Sequence, residues 1–168
     1  MALSKIDAVN FLTGTIPSGN IATSSLAAAA TGKVLQVVTC TADTTVRTSN
    51  STSFVTASNT IFVNITPSAT SSKIYVIASG SLYASDATYN SLATIYRDST
   101  NLATDAYNIV RSDSANIYGN YCMSFLDSPS TTSQIKYQVY IKSEGAANDV
   151  KLNMNNTQGI ITAFEIAG

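Results

Sequence analysis

Residues 135–142 alternate without a break: Ile135, Tyr137, Val139 and Ile141 are interleaved with Lys136, Gln138, Tyr140 and Lys142. A helix would scatter such residues around its circumference. A strand sends them to two opposite faces, one buried and one wet. The period of two recurs along the chain. Residues 60–66 set Ile61, Val63 and Ile65 against Phe62 and Asn64, and residues 117–126 place Ile117, Tyr121, Met123 and Phe125 on one side. Val150, Leu152 and Met154 alternate with Lys151 and Asn153, and residues 159–166 read as the last strand. Residues 73–78, 92–97 and 102–110 add further strands. Residues 34–40 form an apolar, β-branched run, which predicts a strand covered on both faces.

Between these runs lie short polar turns: Pro67 to Ser72, Asp98 to Asn101, and Asp127 to Ser133 with Pro129 inside it. There is no long helix, sustained heptad or internal repeat. About eight to ten strands joined this way predict an all-β protein, an antiparallel sandwich or jelly-roll-like domain. Ser and Thr together number 45 and Tyr 9, and the Thr and Tyr suit half-buried pleated surfaces.

The pattern changes near Gly32. Residues 1–32 are expected to form an extended N-terminal arm, and residues 33–168 the β-sandwich domain. In the arm, Leu3, Ile6 and Val9 fit one short amphipathic turn, with Phe11 and Leu12 following. Ile16 and Pro17 sit in turn chemistry between Thr13 and Asn20. Ile21 follows, and Leu26 begins an Ala run that Ser24 or Ser25 would cap. These nine apolar residues are the candidate anchors. Such a segment does not bury enough surface to offset its ordering entropy, so it is expected to order only against another chain.

Composition narrows the chemistry. The chain has no His, which removes His-based triads, HExxH zinc sites and the usual general base near neutral pH. A net charge of −1 with nine scattered cations gives no basis for nucleic-acid binding. No apolar run approaches the roughly 20 residues of a membrane helix, and residues 1–10 lack a signal-peptide core. Cys40 and Cys122 are too few for a disulfide framework and read as small apolar side chains in strands.

No carboxylate pair stands out for glycosidase chemistry, and Asp98, Asp105, Asp113 and Asp127 read as turn residues. No calcium loop or phosphate-cradling motif is present, so no catalytic residue, metal or cofactor is expected. Tyr83 and Tyr89 flank a polar stretch that reads as a loop, and Tyr118 lies opposite Tyr121 on one strand. Tyr83, Tyr89 and Tyr118 are candidate surface contacts, since Tyr offers flat amphipathic area to sugar or protein. Packing within the sheet or at a subunit contact is the weightier alternative.

The segment Leu12-Thr13-Gly14-Thr15-Ile16-Pro17-Ser18-Gly19-Asn20-Ile21 resembles one near the start of many tailed-phage fibre proteins. Four later stretches resemble small virion proteins of marine and freshwater phages, including those infecting cyanobacteria. They are Gly32-Lys33-Val34-Leu35-Gln36-Val37-Val38, Ile65-Thr66-Pro67-Ser68-Ala69-Thr70-Ser71-Ser72-Lys73-Ile74, Tyr96-Arg97-Asp98-Ser99-Thr100 and Leu126-Asp127-Ser128-Pro129. The motifs are architectural rather than catalytic. The resemblance implies a homotrimeric, β-rich protein on the surface of a phage particle, made in the host bacterial cytoplasm. The partners it implies are other copies of the chain, tail, baseplate or major capsid proteins, and a host surface receptor. Two positions follow from it: a short tail or baseplate fibre anchored by the arm, or a capsid-decoration (cement) protein forming trimeric knobs. Neither involves nucleic acid or membrane insertion.

Overall fold

The computed structural model describes residues 33–103, 108–110 and 115–168. The expected arm and all of its candidate anchors therefore lie outside the described residues, as do Asp105 and Asp113. The described strands are β1 (Val34–Thr39), β2 (Arg47–Ser49), β3 (Phe62–Ile65), β4 (Lys73–Ala84), β5 (Ser91–Arg97) and β6 (Thr100–Asn101). They continue with β7 (Asn108–Val110), β8 (Ile117–Asp127), β9 (Ile135–Ser143), β10 (Val150–Leu152) and β11 (Ile160–Ile166). All pairings are antiparallel. The protein is all-β, as the alternation predicts.

Two sheets make the sandwich. In the six-stranded sheet β4 is central: β8 pairs along one side of it, while β11 and β10 share the other. Beyond these, β1 pairs with β11 and β2 with β10. In the five-stranded sheet the order is β3, β9, β5, with β6 and β7 sharing the far side of β5. Ile74, Val76, Ala78, Leu82, Met123, Ile161 and Ala163 of the first sheet pack on Val63, Ile65, Ile95, Tyr137, Val139 and Ile141 of the second. Apolar burial of this extent is the main favourable contribution to such a fold.

Several strands differ from the sequence reading. β4 runs to Ala84, six residues beyond the expected end, because Ser79-Gly80-Ser81 resembles a turn and is a strand. Gly80 faces Tyr121 across the sheet, and a Cβ there would come within 2.6 Å of the Tyr121 hydroxyl. The ring occupies the space a side chain would need. Met154 belongs to a single 3-10 turn, Met154–Asn156, instead of extending β10. Asp98-Ser99 forms a two-residue hairpin turn with Asp98 at φ 50°, the left-handed value such turns require first.

The largest correction concerns residues 34–40. β1 is an edge strand, and Val34, Leu35 and Val37 are exposed where both faces were expected to be covered. An apolar β-branched run marks a central strand only if neighbours exist on both sides, and here β11 is the neighbour on one. The wet face of β9 is drier than its alternation implies. Gln138 is buried and donates to the Asn59 carbonyl at 3.1 Å, while the Asn59 amide donates to the Val139 carbonyl at 2.9 Å.

Candidate functional site

Three buried or half-buried carboxylates are the natural places to look for chemistry, and each is saturated with donors. Glu165 on β11 points inward. Its Oε1 accepts from the Ser68 amide at 2.7 Å, the Ser68 hydroxyl at 2.6 Å and the Ser72 hydroxyl at 2.7 Å. Its Oε2 accepts from Gln36 Nε2 at 2.6 Å, and the same amide donates to the Thr66 carbonyl at 2.7 Å. Burial pushes the Glu165 carboxyl up, but these hydrogen bonds outweigh it and hold the pKa at about 2. A group that far from neutrality is poorly matched to general acid–base work.

Asp127, at the end of β8, accepts two hydrogen bonds from Arg97 of β5, both at 2.8 Å. It also accepts one from the Tyr137 hydroxyl of β9 at 2.7 Å. Burial, then the Asp127 hydrogen bond, pushes the Tyr137 phenol up. One carboxylate thus ties the two sheets together. Asp43 accepts from the Thr45 and Thr60 amides, each at 2.9 Å, and from Arg47 Nε at 3.2 Å. Burial raises its carboxyl, and the amides and Arg47 bring it below the usual range.

The row Gln36, Glu165, Ile74, Asp127 runs in register across β1, β11, β4 and β8. All four phage-like segments of the described residues meet on it. Gln36 comes from the first, Ser68 and Ser72 from the second, Arg97 from the third and Asp127 from the fourth. Their side chains close one end of the sandwich. The expectation that Asp127 only caps a turn understated it.

The outer faces of the two sheets differ. On the five-stranded sheet Tyr96 and Tyr140 stack with centroids 4.0 Å apart, and Phe54 lies 6.0 Å from Tyr96. Lys142 sits 4.9 Å from the Phe54 centroid, and Lys136 sits 5.6 Å from that of Phe62. On the six-stranded sheet Val37, Phe164, Tyr75 and Leu126 form one row across β1, β11, β4 and β8. Val37 is 56% exposed and Leu126 57%. The next row is Thr39, Thr162, Ile77 and Ser124, and beyond it Ile160 faces Ser79 and Cys122.

Of the predicted surface residues, Tyr118 is 54% exposed and Tyr89 37%. Tyr83 is neither in a loop nor on the surface. It lies buried in β4, between Tyr118 at 5.1 Å and Lys151 at 5.1 Å, and its hydroxyl donates to Asn116. Tyr89 leans on Gly145, where a Cβ would come within 2.5 Å of the ring. Asn148 holds these loops: its Oδ1 accepts from the Ser85 and Asp86 amides at 2.9 and 3.2 Å, and its amide donates to Ser91 at 3.1 Å. Tyr118 and Tyr83 form one pair near this end, and Tyr89 stands apart in its own loop. Cys40 and Cys122 form no disulfide with each other: Cys122 is exposed on β8 and Cys40 lies half-buried just beyond β1. The sequence reading missed Glu165 and Gln36 altogether. Glu165 is flanked by apolar residues in a strand, and this misplaced carboxylate was the available signal.

No family model matches the chain, and no curated protein matches it. Among solved structures, it is similar to a chain described under "Structure of infectious bursal disease virus Gx strain", with a TM-score of 0.34 and 13% identity. The match covers 79% of this chain and 42% of that one, so this chain spans less than half the length of its neighbour. Likeness at that score does not define a shared fold.

Proposed function

We propose that the chain is a non-enzymatic structural protein of a tailed-phage virion. In this reading it is a homotrimeric short tail or baseplate fibre, held by residues 1–32 and projecting its sandwich towards a host receptor. One observation carries the structural part. The segments that resemble phage virion proteins converge on donor-saturated carboxylates that close the sandwich, so what is shared with those proteins is architecture. The fibre reading draws support from the layout of the sandwich. β1 begins beside Ile166 at the end closed by Glu165 and Asp127, whereas Tyr89 and Tyr118 lie towards the opposite end, near Ala84 and Ser85.

The alternative reading is a capsid-decoration (cement) protein forming trimeric knobs that stabilise the head shell. Copy number and location separate the two. Quantitative mass spectrometry of purified particles and of tailless heads is expected to find a few copies lost with the tail if the chain is a fibre. Hundreds of copies retained on tailless heads would replace the fibre with the cement protein. Deleting residues 1–31 is expected to abolish particle attachment and to leave the sandwich folded.

A further inference from the structure

We infer that the sandwich has a built-in site for a single water molecule, between the Tyr121 hydroxyl of β8 and the side-chain oxygen of Asn153, just before the 3-10 turn. The inference does not depend on where the chain sits in a particle. Among the described residues, both atoms are buried without a hydrogen-bond partner. Tyr121 is 2% exposed and Asn153 0%. The third such atom, Asn90 Oδ1, belongs to the loop before β5. Buried polar groups are normally paired with protein or with ordered water, so two orphans in one neighbourhood point to a shared partner.

Register brings the two together. Tyr121 pairs with Gly80 of β4, and a Cβ on Gly80 would come within 2.6 Å of the Tyr121 oxygen, so the hydroxyl has crossed from β8 to lie over β4. On the other side of β4, Ile160 pairs with Ser79, which sets Gly159 beside Gly80. A Cβ on Gly159 would come within 2.8 Å of Asn153 Oδ1 and 2.3 Å of Ile61 Cδ1. Two adjacent positions without side chains thus lie under the hydroxyl and the amide oxygen, with Ile61 as an apolar wall. Neighbouring strands lie about 5 Å apart, the distance one water spans between two polar atoms.

The chemistry of the pair fits water. Burial, then Cys40 and Asp43, pushes the Tyr121 phenol up, so it stays a proton donor. Asn153 donates its amide to the Thr45 carbonyl at 3.0 Å, which fixes its Oδ1 as an acceptor on the other side. A water accepts from the first and donates to the second. A cation would meet the phenolic proton, and an apolar guest would leave both atoms unpaired. Asp43 is already occupied by the Thr45 and Thr60 amides and by Arg47. The water ties β8 to residues 153–159, where β4 changes partner from β11 to β10.

Oxygen-17 relaxation dispersion of the full chain, which counts long-lived internal waters, tests this by comparing wild type with Tyr121→Phe, and crystal structures of both locate the waters. Wild type is expected to show a water roughly 2.7–3.0 Å from both atoms. Y121F is expected to hold one long-lived water fewer and to raise the unfolding constant roughly fivefold. A hydroxyl that merely lacks a partner predicts the reverse, because Phe would remove a buried polar cost. An equal or lower unfolding constant in Y121F therefore overturns the inference. So does a direct hydrogen bond between Tyr121 and Asn153, a wild-type crystal structure without water between them, or an unchanged dispersion amplitude in Y121F. Tyr137→Phe, which removes a hydroxyl already paired with Asp127, is the control and is expected to keep the wild-type count. An equal loss of water in both variants overturns the assignment to Tyr121.

Discussion

On one side of the sandwich, Tyr96 lies on Tyr140 and lysines cover Phe54 and Phe62; on the other, Val37 and Leu126 stand open at the ends of an apolar row. Both faces belong to antiparallel sheets that send alternate residues outward. The difference is in how each is completed. The five-stranded sheet covers its outer face with its own side chains, stacking Tyr96 on Tyr140 and setting lysine ammonium groups over Phe54 and Phe62. The six-stranded sheet does the same at one end, where Tyr118 and Lys151 cover Tyr83, and leaves the row from Val37 to Leu126 open.

The largest effect is expected beneath the bare face, where Glu165 holds β1. Burial raises its carboxyl and the four donor contacts lower it further, so the folded pKa of about 2 lies below its ordinary value near 4.5. The stability it contributes is therefore full above about pH 4.5 and is lost as pH falls towards 2, on the order of 3 kcal/mol. Urea unfolding from pH 6 down to 2 is expected to follow that loss. Glu165→Gln is expected to cost about 3 kcal/mol at pH 7 and to flatten the acid dependence. An unchanged acid profile would separate Glu165 from the hold on β1.

Next in size is Arg97→Met, which leaves Asp127 and Tyr137 without their cation between the sheets. It is expected to cost about 2 kcal/mol, less than a fully buried pair because Arg97 is partly exposed. Both faces should suffer alike, read as equal loss of hydrogen-exchange protection in β8 and β9. Tyr140→Ser removes one ring of the stacked pair and is expected to cost about 1 kcal/mol on the finished face. Its effect on oligomeric state should be nil. Leu126→Ser is expected to change unfolding of the separated subunit by less than about 0.5 kcal/mol, because its side chain is already mostly in water. Were Leu126→Ser to cost as much as Tyr140→Ser in the separated subunit, the contrast between the faces would disappear.

Alternation made β9 and β3 legible, since each carries an inward apolar row such as Ile135, Tyr137, Val139 and Ile141. The end of β4 was not legible, because what makes Gly80 a strand residue is the Tyr121 ring on a neighbouring strand. The edge position of β1 was equally hidden: Val34, Val37 and Val38 look the same whether a second neighbour exists or not. Glu165 draws on Ser68 and Ser72, 97 and 93 residues away, and only pairing of β1, β11 and β4 brings them together. Tyr83 shows the converse failure. Its polar neighbours suggested a loop, but Lys151 and Tyr118 cover it from adjacent strands.

The position of β1 also sets how the sandwich would carry tension. Its first residue, Val34, pairs with Ile166, and the strand then runs alongside β11 towards the Asp43–Gly159 bridge. If the chain is held at Lys33 and pulled at the distant loops of Ser85 and Asn148, the force runs parallel to the strands. The hydrogen bonds between β1 and β11 are then sheared together and share the load, where a sideways pull would break them one after another. Gln36 lies two residues from the point of entry, and its bond to Glu165 braces β1 from the inner side against the same sliding. Under such a load the donor-filled carboxylate would double as a mechanical latch at the end where the chain enters β1.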